Sequence, residues 1–274
     1  MLEYLLKGGE GVNFIEIEYR ERSDSWGMSE LQSHDYYELY FLLRGNRSFF
    51  CGNKMFNISE RAFCVIPPFS MHKTSGGGYA RINVNVSPDL LYDWERELLG
   101  NLAKSTAFSL EYEGAELIIA LLCEAAELSI VDAQKKQRIS ASFLHTLLHL
   151  IAKRTPPPLG HNARVETAAE DTLILEVVSY LNRCYRDELT LDTISERFYI
   201  SKNALCARFR AAMNCSVMQY LAFVRLSRAK ELLATTDKSM DEISSLCGYS
   251  SPNYFSLIFK KSVGISPREY KKTK

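Results

Sequence analysis

Several things are missing from this chain of 274 residues. It has no run of about 18 uncharged apolar residues, and its opening, MLEYLLKGGEG, has no basic leader followed by an apolar block. Neither a membrane span nor a secretion signal is therefore expected, and the expected location is the cytoplasm. The seven cysteines are odd in number and never fall as C-x-x-C, which argues against a disulfide framework and against a cysteine zinc site. There is no phosphate-cradling G-x-x-x-x-G-K loop and no recognisable set of nucleophile, base and orienting group. No catalytic residue and no cofactor is predicted. Net charge is also missing, with 33 basic and 33 acidic residues, but the balance is uneven. Residues 171–274 hold 16 Lys+Arg against 11 Asp+Glu, an excess of 5, so the C-terminal third leans towards a polyanionic partner.

What is present reads as two units. Residues 14–86 alternate β-branched and aromatic residues in short runs such as ELYFLLRG, RAFCVIPP and RINVNVS, separated by Gly, Asn and Pro turns. Two helices are expected over 115–130 and 132–154. In the second, Ile139, Phe143, Thr146, Leu147, Leu150 and Ile151 form a stripe that can cover the β unit or pair with a second copy. The segment TPPPLGHNAR, residues 155–164, forbids helix continuation and reads as a linker. Beyond it the pattern is helical throughout.

The helical part repeats itself. Ile194 and Ile243, Ser195 and Ser244, and Phe198 and Cys247 lie 49 residues apart, while Leu205 and Phe255, and Phe209 and Phe259, lie 50 apart. One helix-turn-helix unit is thus used twice. Leu205, Phe209, Phe255 and Phe259 are expected in the core. The joining helix, 216–235, would be about 30 Å long, close to the roughly 34 Å between successive major-groove faces on one side of B-DNA.

The series Arg225, Ala229, Leu232, Leu233, Ile243, Gly248, Tyr249, Phe255, Phe259, Lys260, Gly264, Ser266, Pro267 and Tyr270 resembles the AraC-type family of bacterial transcription regulators. The resemblance covers about residues 169–272. It implies a two-domain α+β chain: a cupin-like β-barrel with two following helices, then an all-α domain of two helix-turn-helix units joined by a long helix. The expected limits are 1–112 for the sensing barrel, 113–154 for helical dimerisation, 155–168 for the linker and 169–274 for DNA binding. Recognition helices are expected near 201–212 and 251–262. Lys202, Arg210, Lys260 and Lys261 would meet phosphates. Base contact would rest on Asn203 and Cys206 in the first unit and on Asn253 and Ser256, behind Ser251, in the second. Where family members commonly carry a Ser-Arg pair, this chain has Cys206-Ala207 and Ser256-Leu257. With those arginines absent, an A·T-leaning site is predicted, because Asn reads adenine and Arg reads guanine.

SHDYYELYFLLRG followed by PPFSMH resembles the small sensor barrel that precedes this DNA-binding domain in many members. Strand alternation would put His34, Tyr36, Glu38 and Tyr40 on one face, with His72 and Arg81 nearby, lining a pocket for a small polar effector such as a sugar. Metal-binding barrels of this type use a further histidine where this chain has Gln32, so the set is one ligand short and no metal is predicted. The expected partners are double-stranded promoter DNA, a second copy of the chain, the effector and, if the protein activates, RNA polymerase. Two alternatives are a metal-dependent cupin-type enzyme fused to a DNA-binding domain, and a ligand-independent regulator whose barrel only dimerises.

Overall fold

The alternating segments pair as an antiparallel sheet whose two faces are both buried. A computed structural model describes residues 13–28, 31–52, 54–128, 132–154, 156–158 and 172–273. The strands are β1 (Ile15–Arg22), β2 (Trp26–Gly27), β3 (Tyr37–Cys51), β4 (Lys54–Ser59), β5 (Ala62–Ile66), β6 (His72–Val86) and β7 (Phe108–Ser109). They run in the order β1-β6-β3-β5-β7, with β2 added to β6 and β4 to β3. The 15-residue strands β3 and β6 pair along their length, with register shifts between Leu42 and Arg44 and between Gly45 and Arg47 that bend them. Gly45 sits in this bend at φ 95°, where a Cβ would lie 2.3 Å from the Gly78 carbonyl, so only glycine fits.

Alternation divides the strand residues between two cores. Leu39, Phe41, Phe63, Val65, Ile82 and Val84 pack on one face with α1 (Asp93–Leu102), α2 (Ala115–Ala126) and α3 (Ala133–Arg154). Tyr40, Leu42, Cys64, Ile66, Phe49 and Tyr79 fill the opposite, inner face. Helix α1 is an addition to the two helices expected from sequence, and Leu99 and Leu102 fall on its buried side. The predicted stripe on α3 splits. Leu147 and Ile151 join the first core, Ile139, Phe143 and Leu150 are half-buried, and Thr146 is exposed.

The predicted linker begins by pairing, not by swinging free. Proline keeps its carbonyl although it has no N–H, so the Ser109 N–H donates to Pro157 O at 2.9 Å and Pro158 bridges Phe108 on the sheet edge. The rest of the linker, 159–168, and residue 155 lie outside the described residues.

The helical unit holds α4 (Thr172–Cys184), α5 (Leu191–Arg197), α6 (Lys202–Met213), α7 (Val217–Thr235), α8 (Met240–Leu246), α9 (Pro252–Val263) and α10 (Pro267–Lys272). Helices α5 to α10 each start at a Ser or Thr whose side-chain oxygen accepts a backbone N–H of the first turn. Each such cap contributes about 1 kcal/mol. Leu205, Phe209, Phe255 and Phe259 are fully buried as the repeat predicts, and Ser195 and Ser244 are buried at matching positions of the two units. At 19 residues, α7 is about 28 Å long.

Candidate functional site

The two helix-turn-helix units present matching faces. In α6 the positions 203, 206, 207 and 210 share one side, and in α9 the positions 253, 256, 257 and 260 do, because steps of three and four residues return to the same side of a helix. Asn203, Arg210, Asn253 and Lys260 are exposed, whereas Cys206 and Ser256 are half-buried. Lys261 is exposed one step round α9. Two of the predicted residues are already engaged. Ser251 Oγ accepts the Tyr254 N–H at 3.2 Å as the cap of α9, and Lys202 Nζ donates to Asp192 Oδ1 at 2.6 Å. The hydrogen bond to that carboxylate also raises the Lys202 pKa.

In the sequence Leu257 stands out only as the position of a missing arginine. In the structure it is 65% exposed beside Asn253 and Ser256, and Tyr254 is half exposed on the same helix. Helical spacing from Asn253 could have placed Leu257 on this face. The turns also match. Tyr199 at φ 51° corresponds to Gly248 at φ 74°, 49 residues on. Tyr199 is almost wholly exposed and has room for its side chain, whereas a Cβ on Gly248 would meet the Tyr185 carbonyl at 2.7 Å.

In the sheet domain, His34 and Tyr36 are not on a strand. They occupy the bend before β3, which starts at Tyr37, so period-two alternation does not apply to them. The bend lays the His34 ring flat on Tyr36, with centroids 3.8 Å apart and planes 1° from parallel, and aims its Nε2 at Glu38 Oε2, 3.1 Å away. His72, at the start of β6, brings Nε2 to 3.6 Å from the same oxygen. Asn83 Nδ2 donates to the other Glu38 oxygen at 2.6 Å. Tyr40 pairs with Asn83 across the sheet, and the Arg81 guanidinium lies over the Tyr40 ring at 5.3 Å. The strand of Arg81 and Asn83 therefore turns its polar side inward, a choice that alternation alone left open. All six predicted effector residues fall in this region, and His34, Tyr40, His72 and Arg81 are buried.

Burial alone would raise the Glu38 carboxyl, but the His34 and His72 imidazoles and the Arg81 guanidinium beside it hold it down, at about 2. Burial, with His34 adding to it, pushes His72 down to about 4. Desolvation raises the Tyr36 and Tyr40 hydroxyls, so both stay neutral donors.

The loops that carry this cluster also touch the helical unit. Ser33 Oγ and Ser227 Oγ of α7 are 3.0 Å apart, Ser227 Oγ donates to Phe69 O, and Tyr270 OH donates to Asp35 Oδ2 at 3.2 Å. Phe69 N–H in turn donates to His34 O at 2.6 Å, and the backbones of Gln32 and His72 exchange two hydrogen bonds of 2.9 Å. Leu31, Phe50 and Met71 are buried in one cluster with Val177, Tyr220 and Val224 of the helical unit. A cavity of about 370 Å³ lies along this seam, lined among others by Gly52, Phe69, Asn182, Ser227 and Glu231. None of the six predicted effector residues lines it. Among the described residues no helix is long and apolar enough to cross a membrane.

Comparison with known proteins agrees with this division. The family described as "AraC-like ligand binding domain" matches residues 14–152, and the family described as "Helix-turn-helix domain" matches residues 194–273. The chain is 30% identical over 162 residues to the Uncharacterized HTH-type transcriptional regulator YdiP of Escherichia coli, covering 58% of this chain and 52% of that one. It is 31% identical over 139 residues to the Xylose operon regulatory protein of Haemophilus influenzae, covering 48% of this chain and 36% of that one. It is 23% identical over 250 residues to the HTH-type transcriptional activator RhaR of an Enterobacter strain, covering 87% and 86%. The chain thus spans about half the length, or less, of the first two relatives.

Proposed function

The chain belongs to the AraC family of helix-turn-helix regulators, and from that premise we propose that it binds promoter DNA sequence-specifically and regulates transcription in response to a small polar effector. The observation that carries the DNA-binding reading is the twin presentation of Asn203 and Arg210 on α6 and of Asn253 and Lys260 on α9, each on a helix that opens from a tight turn. Arg210, Lys260 and Lys261 meet phosphates and set register, while the asparagines read adenine edges in the major groove. Leu257 adds an apolar contact suited to a thymine methyl, in line with an A·T-leaning site. Residues 169–274 bind DNA in this reading, 1–112 sense, and 113–154 pair with a second copy through the half-buried Ile139, Phe143 and Leu150 of α3. RNA polymerase is a further partner if the protein activates.

Effector sensing is assigned to His34, Tyr36, Glu38, Tyr40, His72 and Arg81. A sugar is the favoured class, because hydroxyls pair with imidazole and carboxylate and because one relative is a xylose operon regulator. The route to DNA is short. His34 and His72 lie on the segments that carry Leu31, Ser33, Asp35, Phe69 and Met71 onto the helical unit. An effector that prefers one arrangement of these loops shifts the population of docked DNA-binding units by that preference and no more.

The test is binding of the full chain to promoter DNA from its own genomic neighbourhood, at two salt concentrations, with and without Asn253→Ala. Salt-sensitive binding weakened by about 1–3 kcal/mol in the variant is the expected result. Binding that ignores salt, or a selected site with a fixed G-rich core under these helices, refutes it.

A further inference from the structure

The protons in the His34, Glu38 and His72 cluster can be counted from its hydrogen bonds. A backbone carbonyl only accepts. His34 Nδ1 lies 2.9 Å from Tyr36 O and His72 Nδ1 lies 3.0 Å from Ser70 O, so each Nδ1 carries the hydrogen. In a neutral imidazole the other nitrogen, Nε2, is then a bare lone pair. Both Nε2 atoms face Glu38 Oε2, at 3.1 Å and 3.6 Å, and a carboxylate oxygen is an acceptor too. Three lone-pair atoms converge with no hydrogen of their own to share, and both imidazoles are buried. Such a meeting is stable only around a cation.

We propose that this cation is a divalent transition-metal ion of the Zn2+ class, held by His34 Nε2, His72 Nε2 and Glu38 Oε2. Two nitrogens and one carboxylate oxygen suit zinc or iron(II) and not Mg2+ or Ca2+, which take all-oxygen shells. With bonds of about 2.0–2.1 Å, tetrahedral ligand atoms stand about 3.3–3.4 Å apart, and the contacts of 3.1 Å and 3.6 Å bracket that separation. All three donor atoms lie within 4.8 Å of one another.

The surrounding groups have the form of a metal site's outer shell. Each imidazole is held in one tautomer by a carbonyl, and Glu38 is oriented by Asn83 at 2.6 Å. Among the described residues no fourth His, Cys, Asp or Glu side chain joins the group, which leaves an open position for water or an oxygen donor of a bound ligand. The other cation that satisfies the same geometry is a lone proton on His34. Whichever effector the barrel takes, the metal site stands on these distances alone.

The experiment uses the full chain, stripped with a chelator, dialysed against Zn2+ and analysed for bound metal, with parallel cobalt(II) titration followed by visible absorption. The wild type is expected to retain about one Zn2+ per chain and to give a cobalt(II) spectrum of low-coordinate nitrogen and oxygen ligation. Asn83→Ala is expected to weaken metal binding about 10- to 100-fold, as removal of an outer-shell partner does, and Glu38→Gln and His72→Ala by more. His149→Ala, exposed on α3, is expected to change nothing. Wild type that retains no Zn2+, or retention equal in Glu38→Gln, overturns the proposal in favour of the proton. If the ligand variants do not fold, the wild-type cobalt(II) spectrum decides, since its absence also overturns the site. DNA binding that persists without a metal site leaves the regulator reading standing, and a metal site without DNA binding does the reverse.

Discussion

Replacing Tyr270 by Phe tests whether the seam between the two units is an energetic connection or only a contact. The hydroxyl donates to the Asp35 carboxylate at 3.2 Å, and both residues are buried, so the bond is poorly screened by solvent. A hydrogen bond to a charged group contributes about 1.5–3 kcal/mol. The ring stays, and with it the edge contact to Phe259 at 5.5 Å, so the helical core keeps its packing. Undocking should therefore become about 10- to 150-fold more frequent, at about 1.4 kcal/mol per factor of ten. Hydrogen exchange on the full chain reads this directly. The Phe69 amide, which bonds to His34 O beneath the seam, should exchange faster by that factor, while the Leu39 amide in the sheet core should not change. Equal exchange at Phe69 in both proteins, or equal acceleration at Phe69 and Leu39, would refute the reasoning.

Further outcomes are expected. Gly248→Ala puts a Cβ 2.7 Å from the Tyr185 carbonyl at φ 74° and should cost at least about 2 kcal/mol, read by urea unfolding, with loss of DNA binding; an unfolding midpoint within error of wild type contradicts the turn geometry. Lys260→Ala should lower the salt slope of DNA binding by about 1, and Asp192→Asn should tighten binding by releasing Lys202, both by fluorescence anisotropy at graded salt. In metal-stripped protein His72, held at about 4 against an unfolded value near 6.5, binds a proton more readily when unfolded, so stability is full above about pH 6.5 and falls as pH drops towards 4. Glu38 extends that loss below about pH 4.5. Acid unfolding that begins only below pH 4.5 would remove His72 from the account.

The helical unit was legible because its information is local. Caps such as Ser201, Ser216 and Ser266 act within three residues, and a stripe such as Leu205 and Phe209 needs only the period of a helix. The repeat at 49 and 50 residues then checked each unit against the other. The sensing cluster was legible only in part. His34 and Glu38 are four apart, a spacing that strand alternation would also place on one face, whereas a bend at Asp35 and Tyr36 makes the meeting. His72 arrives from 34 residues on through the pairing of Gln32 with His72, which no local pattern encodes. Helix α1 went unread because its apolar residues lie between two stronger signals, the strand of Val84 and Val86 and the long helices that follow.

Period, capping and turn residues by themselves determined that this chain makes a sheet domain and a doubled helix-turn-helix, because each is a short-range choice made within a few residues. Tertiary structure alone decided that His34, Glu38 and His72 share one point, that the polar side of β6 turns inward, and that Ser227 and Tyr270 dock on the loops holding that point. Those facts depend on strand register and on contacts between residues as far as 235 positions apart, where the loss of chain entropy is offset only by the packing of the whole fold.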